Sequence, residues 1–166
     1  MSRGFVKEED QEEAPIIPPR AALPEGVTNY VTPEGFNLLQ KEKKELEEER
    51  SSIKIEDEAE SRRGKAVVDG KLKLLNDRIA SARVLDPKTQ AKDEVRFGAR
   101  VKFKYSESGQ VQEFRIVGVD EADVKKNKIA FIAPIARAVT GKKIGEIVPF
   151  SLGAETRNLE IMEINY

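Results

Sequence analysis

The sequence predicts an α+β protein in which an antiparallel helical hairpin precedes a β-rich domain. Two periodicities and one boundary carry that prediction. Across residues 32–84 apolar side chains recur at alternating steps of three and four, the spacing of a two-stranded coiled coil. From Val95 onward they recur at every second residue, as in half-buried strands. Between the two stands Asp86-Pro87, where the residue before proline is pushed out of helical space.

Residues 1–30 form an acidic, proline-rich leader. Glu8, Glu9, Asp10, Glu12 and Glu13 come first, then Pro15, Pro18, Pro19 and Pro24. Such a segment buries too little apolar surface to offset its ordering entropy, so it is expected to be extended and mobile unless a partner orders it.

The hairpin is placed at 31–86. Its first arm carries Phe36, Leu39, Lys43, Leu46, Arg50 and Ile53 on one seam, and its second carries Val68, Leu72, Leu75, Ile79 and Ala82. Lys43 and Arg50 can lay their methylene stems along the seam and keep their charges in water. Facing Phe36 with Ala82 and Leu39 with Ile79 puts the bend near Glu58, with Glu56, Asp57, Glu58 and Glu60 at the tip. Thr32 suits the N-cap, Pro33 the first helical position, and Glu34 the positive end of the helix dipole. Gly64 reads as a break near the bend. Gly70 reads as an interior glycine costing about 1 kcal/mol against alanine.

A polar linker at 87–93 leads into a domain at 94–166. Alternation runs through Val95, Phe97, Ala99, Val101 and Phe103, returns at Phe114, Ile116 and Val119, and again at Ile129, Phe131, Val148, Phe150, Leu159, Ile161 and Ile164. Turn signals at residues 106–109, 120–128 and Gly153 separate these runs, and a short helix is expected after Pro134. Several strands around one small helix describe a half-barrel.

Composition excludes much. Of 166 residues 36 % are charged, but 29 basic and 30 acidic groups nearly cancel, so no global field favours nucleic acid. Lysines 125, 126, 128, 142 and 143 cluster locally without an aromatic platform for bases beside them. With no cysteine and no histidine the chain has no disulfide framework, no thiolate metal site and no imidazole base. No stretch is long and apolar enough to span a bilayer, and a cytoplasmic monomer is expected.

The run Phe114-Arg115-Ile116-Val117-Gly118-Val119-Asp120-Glu121-Ala122-Asp123, then Ala133-Pro134-Ile135-Ala136-Arg137-Ala138, Gly141-Lys142 and Gly145-Glu146, resembles the C-terminal domain of the bacterial Gre transcription elongation factors (the GreA/GreB family). Phe97-Gly98-Ala99-Arg100-Val101, Thr32-Pro33-Glu34-Gly35-Phe36 and the terminal Ile161-Met162-Glu163-Ile164-Asn165-Tyr166 extend the likeness over residues 30–166. The resemblance implies an FKBP-like C-terminal domain that docks beside the secondary channel of RNA polymerase, and a coiled coil that enters the channel. It further implies that an acidic pair at the tip helps the polymerase hold a second Mg²⁺ for cutting backtracked RNA. Contact with nucleic acid is then indirect, and the factor has no metal of its own. The docking surface implied is Asp120, Glu121 and Asp123 with Pro134, Ile135 and Arg137. As plain structure, Ile135 and Val139 suit the core and Asp120 a turn.

The chain departs from the family where cleavage is concerned. Cleavage-competent members carry a tip of the type G-D-x-x-E-N-A-[ED]-Y, absent between Ile53 and Leu75. The hairpin is also shorter by about fifteen residues, which at ~1.5 Å per residue removes on the order of 10 Å of reach. Short-armed relatives of the Rnk type bind without cutting, and that reading is preferred to a cleavage factor. Glu56, Asp57, Glu58 and Glu60 equally suit a solvated helix end. A smaller departure is Ala133 in place of serine, which removes a cap from the short helix. The reading from another class, an FKBP-like prolyl isomerase or chaperone, needs an aromatic-lined pocket that the scattered phenylalanines do not announce.

Overall fold

The structure is a computed structural model, and it describes residues 14–54 and 56–166. The leader's acidic run lies outside the described residues. Helix α1 (Pro33–Ser52) rises from the base, and α2 (Glu58–Ser81) returns beside it. At ~1.5 Å per residue the arms are about 30 and 36 Å long.

The seam read from sequence is the seam that closes. Leu39, Leu46, Val68 and Leu75 are buried together, with Phe36, Ile53, Leu72, Ile79 and Ala82 half-buried around them. Each fully buried aliphatic side chain contributes about 1.5–3 kcal/mol. Arg50 stays in water and reaches across to Asp69 at 2.6 Å. Thr32 caps α1, its hydroxyl accepting from Gly35 N at 2.9 Å.

Two expectations fail here. Gly64 does not break the hairpin but lies inside α2, where a Cβ would make an ordinary contact with Ile53 of the other arm at 3.6 Å. The second helix ends at Ser81, well before Asp86-Pro87. Ala82–Val84 forms strand β2, parallel to β1 (Asn29–Val31), and ladder hydrogen bonds replace the last helical turn. Asp86 instead caps a short 3-10 turn at Pro87–Thr89.

The remaining strands are β3 (Arg100–Tyr105), β4 (Val111–Val117), β5 (Lys128–Ala130), β6 (Ile147–Leu152) and β7 (Glu155–Asn165), in the order β5-β4-β3-β7-β6. All neighbours are antiparallel except β4 and β5. Val101, Phe103, Tyr105, Phe114, Ile116, Val148, Phe150, Leu159 and Ile161 line the inner face of this curled sheet, and α3 (Pro134–Val139) closes it with Ala136 and Val139. The alternation at Val95, Phe97 and Ala99 is not a strand. Gly98 at φ +86° turns the chain there, and β3 starts at Arg100. Ala133 precedes α3 without a side-chain cap.

Candidate functional site

At the tip, Asp57 caps α2, its carboxylate accepting from Ala59 N at 3.0 Å. Glu58 and Glu60 follow in the first helical turn, where the dipole favours acids. Glu56, Asp57, Glu58 and Glu60 are all exposed, and exposed Lys54, Arg62 and Arg63 stand among them. Among the described residues no group of three or more acids lies close enough to hold a metal ion. The tip offers mixed, solvated charge rather than a preformed carboxylate nest.

At the root of the hairpin the charges are arranged differently. Asp120 and Glu121 come from the loop after β4, where Gly118 lets the sheet approach β1. A Cβ on Gly118 would stand 2.5 Å from the carbonyl oxygen of Tyr30. Glu121, its side chain 2 % exposed, accepts a short hydrogen bond from the Thr32 hydroxyl and pairs with Lys128 at 3.5 Å. Gly35 makes room for it, since a Cβ there would lie 2.6 Å from Glu121 Oε1. Asp120 accepts from Arg78 of α2 at 3.0 Å and from Arg20 of the leader at 3.1 Å. On the neighbouring edge Arg115 of β4 reaches Glu34 at 3.3 Å. The Glu34 carboxyl is held below the usual range by its own backbone N–H at the helix start, with Arg115 adding to the effect.

The six residues of the predicted docking surface are therefore split. Asp120 and Glu121 face inward and tie the sheet domain to the hairpin, which removes them from an open surface. Asp123 caps the turn at Val124–Lys126. Pro134 and Arg137 are exposed on α3, with Ile135 half-buried against the core. Arg137 also borders a cavity of about 430 Å³ lined by Tyr30, Phe97 and Phe131, whose ring centroids lie 5.6–5.9 Å apart.

The model of the family "Transcription elongation factor, GreA/GreB, C-term" matches residues 90–166. The GreA of Thermodesulfovibrio yellowstonii is 32 % identical over 151 residues, spanning 82 % of this chain and 96 % of the relative. The GreA of Hyphomonas neptunium is 34 % identical with the same coverage. The chain belongs to the Gre family. It is a GreA/GreB-type transcription elongation factor. In both full-length alignments, 151 aligned positions draw on 82 % of a 166-residue chain, about 136 residues, so about 15 positions of those relatives have no counterpart here. Among solved structures, Gfh1 of Thermus thermophilus matches at 18 % identity with a TM-score of 0.39, over 84 % of this chain and all of that one. A GreA/GreB factor of Nitrosomonas europaea matches at 19 % and 0.42, over 82 % and 98 %.

Sequence reading missed Arg20 and Arg78 in this Gre factor, and it used Thr32 only as a cap. Nothing local marks them. Arg20 and Asp120 are separated by 100 residues, and a lone arginine in a proline-rich leader carries no period. The one available signal was Gly35 one turn after Thr32, a glycine at a helix start with no turn to make.

Proposed function

We propose that this chain binds RNA polymerase at the secondary channel, docking by an FKBP-like sheet domain and inserting its hairpin, and alters elongation without efficient transcript cleavage. The observation that carries this reading is the arm. α1 spans 20 residues, about 30 Å, and the bend beyond it carries acids that are solvated, mixed with bases and, among the described residues, not gathered around a metal site. The 15 or so unmatched positions in the full-length relatives agree with a shortened arm. A hard divalent cation needs several carboxylate oxygens at fixed distances, so any Mg²⁺ at this tip would be held mainly by the polymerase. Asp123, Pro134, Ile135 and Arg137 remain as the docking face, with Asp120 and Glu121 assigned to the root of the hairpin. The protein acts as a cytoplasmic monomer and meets nucleic acid only through the polymerase.

The test is a stalled, backtracked elongation complex with labelled RNA and Mg²⁺, given saturating protein. The RNA 3′ end is expected to stay intact while the protein competes with a cleavage-competent Gre factor. Rapid shortening that is lost when Glu56, Asp57, Glu58 and Glu60 become alanine would establish a cleavage factor instead. Failure to compete would remove the docking proposal.

The aromatic-lined cavity favours one second reading, a prolyl isomerase, because such a site holds the proline ring among aromatic faces. Tyr30, however, comes from β1 and packs on both phenylalanines. Acceleration of cis–trans exchange in a proline peptide, abolished by Phe97→Ala, would establish that activity.

A further inference from the structure

We propose that residues 14–28 of the leader form a brace, built in cis, that fixes the direction in which the hairpin leaves the sheet domain, with Arg20 as its positioning residue. The brace rests on contacts within this chain alone and stands apart from any reading of the polymerase complex.

Its course follows from three attachments. Highest on the arm, Ile17 sits against Gly70 of α2, and a Cβ on that glycine would lie 1.9 Å from Ile17 Cδ1 and 2.8 Å from Cγ1. The glycine that weakens the helix on paper is thus the notch that seats the leader. Lower down, Arg20 forks onto Glu42 of α1, with Nη1 and Nη2 donating to the two carboxylate oxygens at 2.6 and 2.9 Å. The same guanidinium donates from Nε to Asp120 of the sheet domain at 3.1 Å. Beside it Arg78 of α2 donates to the other oxygen of Asp120 at 3.0 Å and to the carbonyl of Ala21 at 2.7 Å. One planar group therefore joins a carboxylate of the hairpin to a carboxylate of the base.

Exposure separates this network from ordinary surface pairs. The side chains of Arg20, Arg78 and Asp120 are 16, 13 and 7 % exposed, with Glu42 at the outer end 41 % exposed, whereas pairs exposed on both sides are screened and hold little. Arginine suits the position because its fixed fork can meet two acids at once, which a lysine point charge cannot. Without the leader, Asp120 would keep one partner, Arg78, and Glu42 would lose its own. The hairpin would then be held at its root by β1, β2, the Thr32–Glu121 contact and the Arg78–Asp120 and Arg115–Glu34 pairs, without the link from Glu42 to Asp120 that resists its leaning about them.

The chain has no cysteine, so two can be placed at will. Spin labels at Lys54→Cys near the tip and Ser108→Cys in the β3–β4 turn report the tip-to-base distance by pulsed electron resonance on the full chain, well below its melting temperature. The parent is expected to give one narrow distribution. Arg20→Ala and Ile17→Ala, both outside the helices and the sheet, are each expected to broaden it at least twofold while helical circular dichroism stays unchanged. A broad distribution in the parent, or equal widths in parent and Arg20→Ala, would overturn the proposal.

Discussion

The two ends of the hairpin carry similar charge and use it in opposite ways. At the tip, a run of acids stands in water between bases, and the acids serve the helix start. At the root, Asp120, Glu121, Arg20 and Arg78 are withdrawn from solvent and each meets a partner on another element. The difference teaches that burial, not composition, separates a surface offered to a partner from one consumed by the fold. A carboxylate in high dielectric interacts weakly with its neighbours, while a buried one must be satisfied or it destabilises the fold.

The strongest way to break the contrast is to push the root apart. Gly118→Val sets a branched side chain against the Tyr30 carbonyl, backbone against backbone, and is expected to cost about 3 kcal/mol or more. A urea melt of the purified variant measures it. Thr32→Ala removes both the α1 cap and the hydrogen bond to a buried carboxylate, an expected loss of about 2 kcal/mol. Glu56→Gln, Glu58→Gln and Glu60→Gln together should cost about 1 kcal/mol in the melt, because Glu58 and Glu60 lose only a solvent-screened interaction with the start of α2. A larger change would mean that the tip is structured like the root.

Acid titration sharpens the comparison further. The folded pKa of Glu34 lies below its ordinary value of 4.5, owing first to its own backbone N–H and then to Arg115. Its contribution is therefore present above that ordinary value and lost as pH falls through the lower folded one. Glu34→Gln should flatten that acid limb of the stability profile. The smallest effect is expected from Gly70→Ala, where a helix gain of about 1 kcal/mol is offset by unseating Ile17. In an Ile17→Ala background the gain should appear in the thermal melt.

Much of this fold was legible because long periods leave long records. The seam from Phe36 to Ile53 and from Val68 to Ala82 repeats often enough to fix both helices and their pairing, and Thr32-Pro33-Glu34 marks a start that the structure keeps. Strands β1 and β2, three residues each, are too short to show alternation. Their pairing overrode a strong stop signal at Asp86-Pro87 and ended α2 early. The site was legible in part. The tip acids stand where spacing put them, but the Asp120-Glu121 pair looked like a surface loop because sequence carries no mark of what packs above a turn. Its partners on the hairpin and the leader lie 42 to 100 residues away.

The parallel pairing of β1 with β2 has a mechanical consequence. α1 starts two residues after β1 and β2 follows α2 without a break, so both legs of the hairpin are anchored in one ladder. That ladder in turn lies against the backbone at Gly118, where a Cβ would stand 2.5 Å from the Tyr30 carbonyl oxygen. With only three residues in each strand, a lean of the hairpin acts on a short hinge, and the side chains around Asp120 decide where the arm points.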